Sequence, residues 1–280
     1  MTHNILVIGA TGKTGRRVAD KLAQQNHNVR PGTRSHTPAF DWNEPSTYAA
    51  ALKGMDRAYI TYYPDLAVPG AKEAIAALTE AALKAGLEKV VLLSGKGETE
   101  AEACEQIVAN SGLNYTLVRA SWFNQNFSES FFLDPILSGQ VALPMAEAEI
   151  PFVDADDIAE VAAKVLVDDS YNGQTITVTG ARKLTFGQVV SIISQHTGRD
   201  LQFHPITMEQ YNAGMKAAGV PDDYAWLINY LFTEVLGNQD NQTISHDFEK
   251  VTGRPATDFA EYVKKTAPTG VWNQPPTQSV

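Results

Sequence analysis

From residue 4 onward the chain alternates short apolar runs with longer stretches in which apolar residues return every three or four positions. The short runs predict strands at 4–8, 28–33, 39–42, 57–61, 89–94 and 115–119. The longer stretches predict helices at 14–25, 46–52, 71–85 and 98–110. Strands that alternate with crossover helices indicate an α/β fold, a doubly wound parallel sheet of Rossmann type. Pro31 cannot donate to a ladder, so it is expected near the end of its strand or at a bulge.

The pattern changes at Pro151. Ile158, Val161, Ala162 and Val165 share one helical face, and a strand at 174–179, a helix at 186–195 and a short strand at 201–204 follow. Helices are expected at 208–218 and 224–236, with a weaker one at 259–265. These strands are too few for a sheet of their own. The reading is therefore a Rossmann domain over 1–150, then a sheet-completing segment and smaller C-terminal α/β lobe over 151–267. The Pro/Gln/Thr-rich stretch 268–280 reads as a loose tail.

The junction between the first strand and the first helix carries chemistry. Gly9, Gly12 and Gly15 follow the apolar run Ile5–Ile8. Gly9 permits a tight turn, Gly12 lets backbone approach a pyrophosphate, and Gly15 lets the helix pack on the strand. First-turn amides then face the phosphates, so this turn is read as a dinucleotide site. Gly12-Lys13-Thr14 is not a triphosphatase phosphate loop, because position 7 is Val7 where that motif needs glycine. An NAD enzyme would place a carboxylate at the end of the second strand. Here the stretch from Val29 to His36 has none, and Arg34 lies where a guanidinium can grip a 2′-phosphate. Lys13 and Arg16 add to that field, so the expected cofactor is NADP.

Composition narrows the partners. The net charge is −10, and the excess lies beyond residue 130, where 9 basic side chains face 19 acidic ones. That balance argues against nucleic acid or an anionic membrane as partner there. One cysteine, Cys104, excludes an internal disulfide framework. No signal peptide and no apolar run of membrane-spanning length is read, so the expected location is the cytoplasm. The six histidines show no metal-ligand spacing with each other or with Cys104, and no metal is expected. No Gly-x-Ser-x-Gly elbow is present, which argues against a hydrolase.

Three clusters have two readings each. Asp154, Asp156 and Asp157 can bind a cation, but at a helix start they read better as caps. Trp122, Phe123 and Phe127, with Asn124 and Asn126, read equally as an aromatic floor under a flat substrate or as core. Glu98, Glu100, Glu102 and Glu105 read as a solvated helix face. Lys96 reads equally as a cofactor or proton-donating group and as a surface lysine.

Several segments together resemble the NmrA-like group of atypical short-chain dehydrogenases. They are the glycine turn, Thr33-Arg34, Phe40–Pro45, Ala51–Asp56, Ser111–Arg119, Trp122–Phe127, Pro151–Ala159 and Val251–Pro255. Within that group the chain is most similar to NAD(P)H-dependent quinone or azo reductases and reductases of the agroclavine dehydrogenase type. The resemblance implies that Gly9, Thr11, Gly12, Lys13, Thr14, Gly15 and Arg34 contact the adenine-nucleotide half of the cofactor. It places Thr61, Tyr62, Tyr63 and Pro64 along its ribose. It puts Ser94, Gly95 and Lys96, and Ala120 to Phe123, beside the nicotinamide.

One departure stands out. Short-chain dehydrogenases draw a proton from a Tyr-x-x-x-Lys pair, and none of the ten tyrosines here has a lysine four residues on. No catalytic acid is assigned. The expected function is hydride transfer from NAD(P)H to a small flat acceptor of quinone, azo, enone or iminium type. The alternative is a redox-sensing regulator that binds NADP(H) without turnover. A protein partner or homodimer is left open.

Overall fold

The computed structural model describes residues 1–273. In chain order the strands and helices are β1 (Asn4–Ile8), α1 (Gly15–Gln24), β2 (Asn28–Gly32), α2 (Tyr48–Leu52), β3 (Arg57–Ile60), α3 (Ala71–Ala85), β4 (Lys89–Gly95), α4 (Thr99–Ala109) and β5 (Asn114–Ala120). There follow α5 (Leu133–Ser138), β6 (Gln140–Leu143), α6 (Ala155–Val167), β7 (Gln174–Val178), α7 (Phe186–Thr197), β8 (Gln202–Pro205), α8 (Met208–Ala217), α9 (Asp222–Tyr230), α10 (Asp247–Thr252) and α11 (Phe259–Thr266).

The chain divides into two compact units. The first comprises Met1–Ala120, Ala155–Val178 and His246–Arg254. Its sheet is parallel throughout, in the order β2-β1-β3-β4-β5-β7, with helices on both faces. Leu6, Ile8, Ala58, Ile60, Val90 and Leu92 pack on α2, α3 and α4 through Leu52, Ile75, Leu78, Ala101 and Val108. Ile5, Val7 and Val91 point the other way and are equally buried, as strands covered on both faces must be. Here Ile158, Val161, Ala162 and Val165 of α6 are all inaccessible to solvent.

This arrangement moves the expected boundary at 150. The chain leaves the sheet unit after Ala120 and returns at Ala155, because α6 and β7 are needed to cover and complete the sheet. The expected strand at 39–42 does not form. Phe40 is instead buried against Tyr48 and Trp42, each with its ring centroid 5.0 Å away, and no neighbour pairs with its backbone as a ladder. That leaves β2 at the sheet edge, and Pro31 is tolerated there one residue before the strand ends.

The second unit holds Ser121–Asp154, Thr179–Ser245 and the segment from Pro255 onward. Contrary to expectation it has a sheet, the parallel pair β6–β8. Its core is aromatic: Phe127, Phe132, Phe152, Phe186, Phe232, Phe259 and Trp272 are buried together. Helices α7 and α8 each open on a capping box, Thr185 with Gln188 and Thr207 with Gln210. The helix expected over 224–236 is split into α9 and a π-helical turn, Leu231–Leu236. The stretch expected as a loose tail is anchored at its start, since buried Trp272 donates from Nε1 to the Phe127 carbonyl at 2.8 Å. Residues 274–280 of that stretch lie outside the described residues.

Candidate functional site

In a parallel sheet all carboxyl ends lie along one edge, and chain order reverses there between β1 and β3, the position where open α/β sheets bind ligands. The glycine turn leaves β1 at this point. Gly9 has φ +70°, and a side chain on it would lie 2.5 Å from Thr61 Cγ2 at the end of β3. The Gly12 amide donates to the Gly9 carbonyl at 2.8 Å. A side chain at Gly15 would overlap that same Gly9 carbonyl, so α1 packs on the turn with no room for a methyl group. Gly12 differs, because its Cβ position has one neighbour within 4 Å, the Gly9 oxygen at 3.2 Å. Two glycines therefore build the turn, and the third keeps its surface bare.

The other expected cofactor residues gather at the same edge. Gly9 donates to the Gly32 carbonyl at 3.1 Å, which ties the end of β2, and with it Thr33-Arg34, to the turn. Arg34 is exposed and makes no ion pair among the described residues. Thr61, Tyr62 and Pro64 follow β3. Ser94 and Gly95 close β4, and the Lys96 amide donates to the Ala120 carbonyl at the end of β5. Lys13 gives its carbonyl to Arg17, whose Nε donates to Asp156 at 2.9 Å. Thr14 is buried, and its hydroxyl accepts from Tyr59 at 2.9 Å, so that side chain ties α1 to β3. Ser94 Oγ is buried without any hydrogen-bond partner, a costly state for a hydroxyl that nothing else satisfies.

The acidic residues are not the solvated face their spacing suggested. Glu105 is fully buried and accepts from Arg119 Nε at 2.9 and 3.1 Å and from Nη2 at 2.5 Å. Glu98 is buried and shares a side-chain hydrogen bond with Asp65. Burial pushes its carboxyl well above the usual range, and Asp65 and Glu105 push it further; burial raises Asp65 as well. Glu100 and Glu102 are exposed as expected. The aspartate cluster is spent on contacts: Asp157 accepts from Arg254 at 2.7 Å, and Asp154 accepts from Gln125 at 2.8 Å in the second unit. Among the described residues no group of His, Cys, Asp or Glu is placed to hold a metal ion. No described helix is long and apolar enough to cross a membrane.

Burial raises the hydroxyls of Tyr48 and Tyr211 to about 12, and lifts those of Tyr59, Tyr62 and Tyr262.

In the second unit the aromatic segment is divided. Phe127 is fully buried on Phe132, Phe152 and Phe259, which makes it core, and Asn126 is nearly so. Trp122 and Phe123 stay half-exposed, with Trp122 leaning on Phe132 and Phe232 at 6.1 and 5.2 Å. Asn124 is completely buried, and neither polar atom of its carboxamide has a partner. The sequence marks Asn124 as one of the polar residues of this segment, but not as buried and without a partner.

Fold and strand-end geometry define a Rossmann-type α/β protein. The chain belongs to the NmrA-like family, whose model matches residues 1–263. Among curated relatives, prestalk A differentiation protein A of Dictyostelium discoideum is 28% identical, covering 94% of this chain and 92% of that protein. The NAD(P)H azoreductase of Xenophilus azovorans is 30% identical, covering 94% and 98%. Among solved structures, the NADPH-dependent quinone oxidoreductase QOR2 of Escherichia coli, complexed with NADPH, superposes with TM-score 0.74 at 22% identity over 93% of this chain and 99% of that one. The negative transcriptional regulator Nmra, in complex with NAD, gives TM-score 0.72 at 18% identity over 96% of each chain.

Proposed function

We propose that the protein is an NADPH-dependent reductase that delivers hydride to a small, flat, electron-poor acceptor of quinone, azo, enone or iminium type. The observation that carries the reading is the bare Gly12 surface at the point where sheet order reverses; the unpartnered Ser94 hydroxyl, at the carboxyl end of β4, adds to it. Gly9, Thr11, Gly12, Lys13, Thr14 and Gly15 are assigned to the pyrophosphate, Thr14 through its backbone. Arg34 is assigned to the 2′-phosphate, Thr61, Tyr62 and Pro64 to the ribose, and Ser94, Gly95, Lys96 and Ala120 to the nicotinamide end. When bound, the reduced nicotinamide supplies the hydride. In the second unit half-exposed Trp122 and Phe123 offer flat faces to an aromatic acceptor, and the nearly buried Asn126 and the buried Phe127 are assigned to the same substrate segment. A relative named as an azoreductase and a neighbour described as an NADPH-dependent quinone oxidoreductase support this direction.

The test needs no knowledge of the acceptor to begin. A charge-assisted contact to phosphate contributes about 1.5–3 kcal/mol, so Arg34→Ala is expected to weaken NADPH about ten- to a hundredfold and leave NADH nearly unchanged. Raised salt should erode NADPH affinity more in the wild type than in the variant. Equal loss of both cofactors would refute the 2′-phosphate assignment. NADPH oxidation across quinone, azo, enone and iminium panels completes the test. Tight binding with no turnover on any class would favour a regulator, the description carried by the Nmra neighbour.

A further inference from the structure

Asp65 and Glu98 belong to no motif, and 33 positions separate them in the sequence. Their meeting follows from topology: Asp65 lies five residues beyond β3, Glu98 three residues beyond β4, and these strands are parallel neighbours. The two side chains are hydrogen-bonded to each other. A hydrogen bond between two carboxyl groups requires a proton on one of them, because two carboxylates in contact repel.

The pair has an inner and an outer end. Glu98 is buried, and its carboxyl fills the space that a side chain at Gly95 would take. Asp65 is half-buried and also accepts from the Ala67 amide at 2.8 Å. Among the described residues no cation pairs with Asp65 or Glu98 to replace the proton. Glu105 of α4 is saturated by Arg119 of β5, and Lys72 of α3, beside Glu73, pairs with Glu100 at 3.4 Å. The Cys104 thiol, pushed up to about 11 mainly by burial, stays neutral, and Lys96 precedes Glu98 on the same loop. A second observation points to a ligand at this strand end: the Ser94 hydroxyl, 5% exposed and one residue from Gly95, has no partner. A structural role alone would be served more cheaply by apolar side chains of similar volume.

We propose that Asp65 and Glu98 hold one proton between them and that Glu98 delivers it to the acceptor anion left by hydride transfer, the task a Tyr-x-x-x-Lys pair performs elsewhere. The inference rests on the reductase reading above. The balance is simple: the acceptor gains two electrons as hydride from the reduced nicotinamide, then takes a proton from the Glu98 carboxyl group. Glu98 is left as carboxylate, and water returns a proton through Asp65.

Two readouts test the pair without turnover. Infrared difference spectra of wild type carrying carbon-13 glutamate should show a carboxylic-acid C=O band near neutral pH that shifts with the label. Glu98→Gln should abolish it. Thermal stability supplies the second. A carboxyl whose pKa is raised on folding binds its proton more tightly in the folded state, so stability falls as pH rises from the ordinary carboxylate range through the raised value. Glu98→Gln should flatten that slope.

Turnover then tests delivery. With an azo or enone acceptor, Glu98→Gln should lower kcat by a hundredfold or more, the scale of general acid catalysis, with NADPH affinity within about twofold of wild type. Asp65→Asn offers an amide to Glu98, lets it ionise at lower pH, and should move the alkaline limb of the rate profile downward. It also serves if Glu98→Gln does not fold. Absence of an acid band in wild type overturns the proposal. An acid band present with unchanged kcat and pH profile in the variants overturns delivery. If wild type binds NADPH yet reduces no acceptor, the reductase reading fails, and delivery with it, while the spectra still decide whether the proton is shared.

Discussion

The contrast between Gly12 and Gly15 yields a prediction in which structure and binding separate. At Gly15 a methyl group would overlap the Gly9 carbonyl, and α1 cannot retreat cheaply. Val18 and Leu22 are fully buried beneath it, and Thr14 is bonded to Tyr59. Overpacking of this kind costs about 1–3 kcal/mol, and each kcal/mol moves Tm by about 2–4 °C in a chain of a few hundred residues. Gly15→Ala should therefore melt several degrees lower. At Gly12 the methyl group meets one atom, the Gly9 oxygen at 3.2 Å, and the backbone there is not left-handed. The small crowding is offset by about 0.4–1 kcal/mol from a less flexible unfolded chain. Gly12→Ala should keep its Tm within about 2 °C. A pyrophosphate, however, would meet that methyl group in place of backbone amide. Loss of one charge-assisted hydrogen bond weakens NADPH about ten- to a hundredfold. Thermal melts and fluorescence titration of NADPH on both variants measure the two effects independently. If Gly12→Ala binds like wild type, the turn is not the phosphate cradle. If it melts as low as Gly15→Ala, the contact geometry of the turn is wrong.

Two further outcomes follow from burial. Glu105→Gln replaces a fully buried carboxylate that takes three hydrogen bonds from Arg119 by an amide that points N–H groups at the guanidinium. Breaking a buried pair costs about 3–5 kcal/mol, and the 30% exposure of Arg119 trims this to about 2–3, read as a lower urea midpoint at unchanged slope. Trp272→Ala removes a buried indole and its bond to Phe127 and should cost about 3–5 kcal/mol; an unchanged melt would mean that this segment is not anchored.

The parts of the fold that were legible in the sequence share a physical cause. A strand buried on both faces must be apolar along its length, and a helix covering it must repeat every 3.6 residues, so β1, α3, β4 and α6 announce themselves. The failures have causes as definite. Phe40 and Trp42 alternate like a strand, but aromatic packing on Tyr48 and Tyr62 uses the same alternation without a ladder. β6 is four residues long and alternates exposed with buried positions, too short a signal to stand above its surroundings. Position 150 carries a change of pattern, but a boundary depends on which elements the sheet recruits, and β7 is recruited across it.

The glycine turn and Arg34 were legible for a reason that the rest of the candidate site lacks. A turn needs a particular backbone at fixed offsets from one strand, so its residues are neighbours in sequence and can be counted. A carboxyl pair needs only two strand ends that become neighbours on folding. Glu98, Glu102 and Glu105 fall on one side of a helix whether that side meets water or protein, and spacing alone favours water because most carboxylates find it there. What accompanies Glu105 out of water is Arg119 on β5, and what raises the Glu98 carboxyl is its burial and then its contact with Asp65 beyond β3. Neither partner bears any fixed spacing to the residue it changes. The same holds for Asn124, whose unpartnered carboxamide is defined entirely by what surrounds it after folding. Chemistry that rests on local backbone is therefore readable from the chain. Chemistry that rests on buried carboxyl groups becomes readable only once the sheet has set β3, β4 and β5 side by side.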